Sequence, residues 1–110
     1  MKKSEIKLII SLDDDNIPEK IEWNAEDSLS DGLLETKSMS LSLWDDKKNN
    51  TLRIDLWTKD MKTDDMKKFY IDCLGGLSQS ILNSTGDDFM SKETNKLCDK
   101  LVEHLKNKSN

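Results

Sequence analysis

The 110-residue sequence holds only two cysteines, one histidine, one proline and a single arginine. Cys73 and Cys98 are too few and too far apart for a disulfide framework or a thiolate metal site. His104, the lone histidine, falls in the last turn of the final helix with no paired nucleophile, and no Ser–His–acid set, phosphate-cradling loop or metal-ligand spacing can be assembled. Apolar runs fall far short of the ~20 residues that a membrane-spanning helix needs. The start, Met1-Lys2-Lys3, resembles a signal peptide only briefly. Glu5 and Lys7 interrupt it, and Asp13-Asp14-Asp15 follows without a small-residue cleavage site, so a cytoplasmic location is expected. Basic charge is also short: 17 Lys+Arg stand against 22 Asp+Glu, for a net charge of -5. The lysines are scattered, which argues against a nucleic-acid footprint.

What the sequence does hold is enough for one small core. Leu, Ile, Val and Phe supply 26 residues, above the ~20% share below which chains stay disordered. A single domain over residues 1–110 is expected.

The first half alternates with period two. Ile6, Leu8, Ile10 and Leu12 share one strand face, as do Ile17, Ile21, Trp23 and Ala25, with a turn at Asp13 to Asn16 and Pro18 opening the second strand. Met39, Leu41 and Leu43 then alternate with serines, and Leu52, Ile54 and Leu56 alternate with Arg53, Asp55 and Trp57. Setting Trp44 opposite Thr51 brings Leu43 to Leu52, Leu41 to Ile54 and Met39 to Leu56; a one-residue slip would scatter them. Strands are expected over about 4–13, 17–25, 36–45 and 51–58. Glu26 to Glu35 reads as a long loop in which Leu29, Leu33 and Leu34 dock on the core.

After Asp60 the period becomes helical. Met66, Phe69, Tyr70, Cys73, Leu74, Leu77, Ile81 and Leu82 mark a helix over about 63–85, and Phe89 to Leu105 a second over about 87–106, with Asn107 to Asn110 frayed. The expected fold is α+β in two layers: a four-stranded antiparallel sheet of two hairpins, with two antiparallel C-terminal helices packed on one face. Gly75-Gly76 interrupts the first helix at ~1 kcal/mol per glycine relative to alanine, which calls for a kink or a close approach. Cys73 and Cys98 fall roughly level across the turn at Gly86, as two buried thiols.

By strand parity Trp44, Trp57 and Arg53 point away from the helices, beside Ser40 and Ser42. Trp and Arg are the side chains most enriched at binding hot spots. Arg53 is placed diagonal to Trp44, within cation–π reach. These five residues are the candidate interaction surface.

The runs Leu41-Ser42-Leu43-Trp44-Asp45, Leu52 to Met61, Met66-Lys67-Lys68-Phe69-Tyr70, Leu74-Gly75-Gly76 and Thr85-Gly86-Asp87 resemble those of the gliding-motility protein GldC family. Lys3 to Lys7 and Ile17 to Ile21 are similar as well. The resemblance implies a small soluble protein connected with gliding motility and the associated protein-secretion machinery. It implies no enzymatic activity, no cofactor and no catalytic residues to carry over. The expected role is an accessory or adaptor that binds a protein partner of that machinery, or itself, through the outer sheet face. Two alternatives stand beside it. The order of four strands then two helices is similar to that of the export chaperone SecB, which implies an oligomer with affinity for unfolded chains. The other is a small hydrolase or ligand-binding domain with a pocket between sheet and helices.

Overall fold

The computed structural model describes residues 1–25 and 32–108. The chain divides into two compact units, Met1–Lys62 and Thr63–Asn110. The first contains the strands β1 (Ile6–Leu12), β2 (Pro18–Ala25), β3 (Leu34–Thr36), β4 (Ser38–Asp45) and β5 (Asn50–Trp57). The second contains the helices α1 (Thr63–Thr85) and α2 (Asp88–Lys108). The class is α+β, with antiparallel strands preceding two C-terminal helices.

The expected single four-stranded sheet is not what forms. The strands make a three-stranded sheet in the order β1-β2-β3 and a separate two-stranded sheet, β4-β5. The difference arises at Lys37. Leu34 and Glu35, expected to lie in a loop, and Thr36, expected to open the third strand, instead pair with Trp23–Ile21. One residue later the chain starts a new ladder, with Ser38 opposite Trp57. A single continuous third strand is thereby split between two sheets. Leu29, expected to dock on the core, lies outside the described residues, and Leu33 and Leu34 are exposed.

Both hairpins use the same turn chemistry. Asp13 Oδ1 accepts the N–H groups of Asp15 and Ile17 at 2.8 and 3.0 Å, and Asn16 takes the left-handed φ of 63°. Asp45 Oδ1 accepts those of Lys47 and Lys48 at 3.1 and 3.2 Å, and Asn49 has φ 54°. A carboxylate satisfies the turn's donors while asparagine tolerates the left-handed well. In the first hairpin Leu8 faces Trp23 and Ile10 faces Ile21. In the second, Leu43 faces Leu52, Leu41 faces Ile54 and Met39 faces Leu56, which is the register the apolar pattern selects. Among the described residues Ile21 is the large apolar side chain with no exposed surface, and Ser38 and Thr58 are buried as well.

In the helical unit, α1 begins with Asp64 and Asp65, whose charge favours the helix N-terminus. It ends at Gly86, whose N–H closes the last turn on the Leu82 carbonyl at 2.9 Å and whose φ of +73° turns the chain out of the helix. Asp87 caps α2 by accepting the Met90 N–H at 3.0 Å. The last turn continues through Lys108 where fraying was expected from Asn107. Where the helices meet, Ser78 donates to the Ser91 carbonyl at 2.8 Å, with the two hydroxyls 3.0 Å apart and both residues buried. Apart from the adjoining residues and the helix's own backbone, no atom of the helical unit lies within 4 Å of a Cβ built at Gly75 or Gly76.

Candidate functional site

The β4–β5 ladder puts all five candidate residues on one face of one hairpin. Ser40, Ser42 and Trp44 come from β4, and Arg53 and Trp57 from β5, with Asp55 among them. Ser42 lies directly opposite Arg53, and Ser40 opposite Asp55. At ~3.4 Å per residue the two tryptophans stand ~20 Å apart, at opposite ends of the ribbon. Trp44 is 60% exposed and Trp57 50%.

Arg53 lies between them and is held in a fixed orientation. Its guanidinium donates to Ser42 Oγ at 2.8 Å, to Ser40 Oγ at 2.9 Å and to Asp55 Oδ1 at 3.0 Å. Ser40 in turn donates to Asp55 Oδ1 at 2.6 Å. Two small hydroxyls at alternate positions leave room for the fork to lie along the strands. The expected cation–π contact with Trp44 is replaced by this network, which draws the guanidinium toward Ser40 and Asp55. The Trp44 indole N–H donates instead to Asp46 at 3.3 Å.

Trp57 borders a groove of about 250 Å³ that it shares with Ile17, Pro18, Asp55, Leu56 and Lys59. The groove exists because the Lys59 N–H donates to the Pro18 carbonyl at 3.1 Å, bringing the β1–β2 hairpin alongside the end of β5. Lys59 also pairs with Asp13 at 3.0 Å and Glu19 at 3.1 Å. Two contributors were missed in the sequence, Asp55 and Pro18. Asp55 was visible through its shared parity with Arg53; nothing local to Trp57 points to Pro18.

The remaining candidates take structural places. The Cys73 and Cys98 thiols are half-buried, and Cys98 Sγ is 4.0 Å from the Ile71 carbonyl oxygen. His104 is exposed and lines a groove of about 220 Å³ with Lys67, Tyr70, Leu74 and Leu101. Among the described residues no cluster of three His, Cys, Asp or Glu is placed to hold a metal ion. No helix among them is long and apolar enough to cross a membrane.

Charge pairing gives this unit a defined pH response. The Ser40 hydroxyl, then Arg53, hold the Asp55 carboxyl below its ordinary value. The Ile17 N–H and Lys59 do the same for Asp13, and the Thr58 hydroxyl and Lys37 for Asp60. A carboxyl with a lower folded-state pKa adds stability above the ordinary value of 3.8, and that stability is lost as pH falls below it. Lys37 and Lys59 are raised by Asp60 and Asp13 respectively, so their contribution is present below 10.5 and lost as pH rises past it. The expected urea midpoint is therefore level at neutral pH and declines at both extremes. Asp55→Asn should make the acid decline shallower; an unchanged acid limb would show that Asp55 plays no part in it.

The sequence profile of the gliding motility-associated protein GldC-like family matches residues 18–107, well over half the chain, and the protein belongs to that family. No curated protein matches the chain, and no solved structure does.

Proposed function

We propose that the protein is a non-enzymatic accessory of the gliding-motility and associated protein-secretion machinery, acting in the cytoplasm. It binds a protein partner through the face formed by Trp44, Arg53, Trp57, Ser40 and Ser42. The observation that carries this reading is Arg53. A guanidinium already oriented by Ser40, Ser42 and Asp55, between two half-exposed indoles, has lost much of the side-chain freedom that binding would otherwise remove. Membership of the GldC-like family supports the gliding-motility setting.

The test is capture of host proteins on the immobilised chain. Replacing Trp44 and Trp57 together by alanine is expected to reduce specific capture at least tenfold, since interfacial tryptophans typically contribute ~2 kcal/mol or more each. Unchanged capture by a double variant with native circular dichroism would overturn the assignment.

A second reading, a chaperone for exported chains, has one observation in its favour. The opposite face of β4–β5 leaves Leu43, Leu52 and Ile54 about half exposed, at 53%, 51% and 48%. Such a surface suits unfolded apolar segments. Suppression of aggregation of an unfolding client would support it, and its absence at stoichiometric excess would remove it.

A further inference from the structure

Among the described residues β4 has one ladder neighbour, β5, so its second edge carries unpaired main-chain groups. One hydrogen bond shows which groups these are. The Thr58 N–H donates to the Lys37 carbonyl at 2.8 Å, so the main chain of Lys37 faces β5. Main-chain direction alternates along a strand. Met39, Leu41 and Leu43 therefore face β5, and Ser38, Ser40, Ser42 and Trp44 point their N–H and C=O groups outward. At Ser38 the outward carbonyl accepts the Thr36 hydroxyl at 3.0 Å, which leaves Ser40 to Trp44 as the open stretch.

Natural sheet edges are guarded by lysine, proline, bulges or shortness. β1 carries Lys7 and an irregularity at Ser11/Leu12, and β3 has only three residues. From Ser38 to Trp44, β4 has no charge, proline or bulge; apolar residues and serines alternate in an uninterrupted ladder.

We propose that this edge pairs with the same edge of a second copy of the chain. The two β4 strands run antiparallel about a two-fold axis at Leu41, giving a continuous β5-β4-β4-β5 sheet. Several registers would satisfy the main chain, and the side chains select one. With Leu41 opposite Leu41 of the second copy, Met39 meets Leu43, Ser40 meets Ser42, and Lys37 meets Asp45 at both ends. Shifting the pairing by two residues sets Asp45 against Met39 or Lys37 against Leu43, and a one-residue slip sets serines against leucines. Charge complementarity and apolar matching thus agree on the same alignment. Main-chain direction agrees as well: Ser40 and Ser42 form the hydrogen-bonded pairs. Leu41 sits at a non-hydrogen-bonded position, where opposing side chains come closest. Asp45 uses Oδ1 on its turn, which leaves Oδ2 for Lys37 of the second copy, whose ammonium holds Asp60 at 2.9 Å and has further N–H donors.

This assembly is separate from partner binding by the Trp44–Arg53–Trp57 face, and its test reads mass and linkage alone. Sedimentation of the full chain is expected to give twice the 12.7 kDa of one copy. Ser42→Pro removes an outward N–H while leaving the β4–β5 bonds in place. It is expected to weaken dimerisation roughly a hundredfold through the lost edge bonds. Leu41→Cys places one thiol on the axis in each copy, so mild oxidation should give a covalent dimer linked 41 to 41 by peptide mapping. Leu52→Cys, on the same face of β5 but more than two strand spacings from its mate, should not cross-link. A monomeric wild-type chain overturns the proposal. So does a folded Ser42→Pro chain that remains dimeric, or a dimer in which L41C fails to link. If Ser42→Pro does not fold, the L41C linkage decides.

Discussion

Replacing Ile21 by alanine lowers the unfolding free energy by about 2–5 kcal/mol, the range for truncating a buried aliphatic side chain that leaves a cavity. Among the described residues Ile21 is the large apolar side chain with no exposure, opposite Ile10 on one neighbouring strand and Thr36 on the other. It therefore stands on the middle strand of the three, paired on both sides. Because small domains are stable by only about 5–15 kcal/mol in total, a loss of this size removes a large share of the margin. Ile21→Val, which shortens the side chain by one methylene, should cost about 0.5–1.5 kcal/mol. Leu52→Ala, at a site already half exposed, should cost less than Ile21→Ala. Urea titrations followed by far-ultraviolet circular dichroism would rank the three. An Ile21→Ala chain within 1 kcal/mol of wild type would show that the core lies elsewhere.

Much of this arrangement was legible in the residues, and the illegible parts have physical reasons. The β4–β5 register could be read because Met39, Leu41 and Leu43 match Leu56, Ile54 and Leu52 in only one alignment. The separation into two sheets could not be read, since both sheets carry the same period and the break is a single residue, Lys37. Leu34–Thr36 is too short to display an alternation of its own, and it becomes a strand because Trp23–Ile21 offers a free edge. At the candidate site, the shared face of Ser40, Ser42, Trp44, Arg53 and Trp57 followed from parity. The orientation of Arg53 did not, because it depends on where Asp55 and two hydroxyls sit rather than on spacing. The groove at Trp57 depends on Pro18, 39 positions away in the chain and joined through one main-chain bond. Nothing in the spacing of Ser78 and Ser91 marks them as buried. Their burial is a property of the helix pair, in which each supplies the other's hydrogen bond.

Gly75→Ala and Gly76→Ala are each expected to stabilise the chain by about 1 kcal/mol, and together by about 2 kcal/mol. Both positions lie in the interior of α1, where glycine carries a backbone entropy cost that alanine avoids. Neither has the left-handed φ that favours glycine; of the four glycines Gly32 and Gly86 do. Apart from the adjoining residues and the helix's own backbone, a methyl group at either site meets no atom of the helical unit within 4 Å, so the propensity gain is not offset by a clash there. Thermal and urea unfolding of the single and double variants would measure the gain. A neutral or destabilising result would mean that a Cβ here meets something in solution that the isolated chain does not show. Two adjacent glycines without a steric reason are costly to a helix, so the double alanine chain measures directly whether that cost serves contact at this surface.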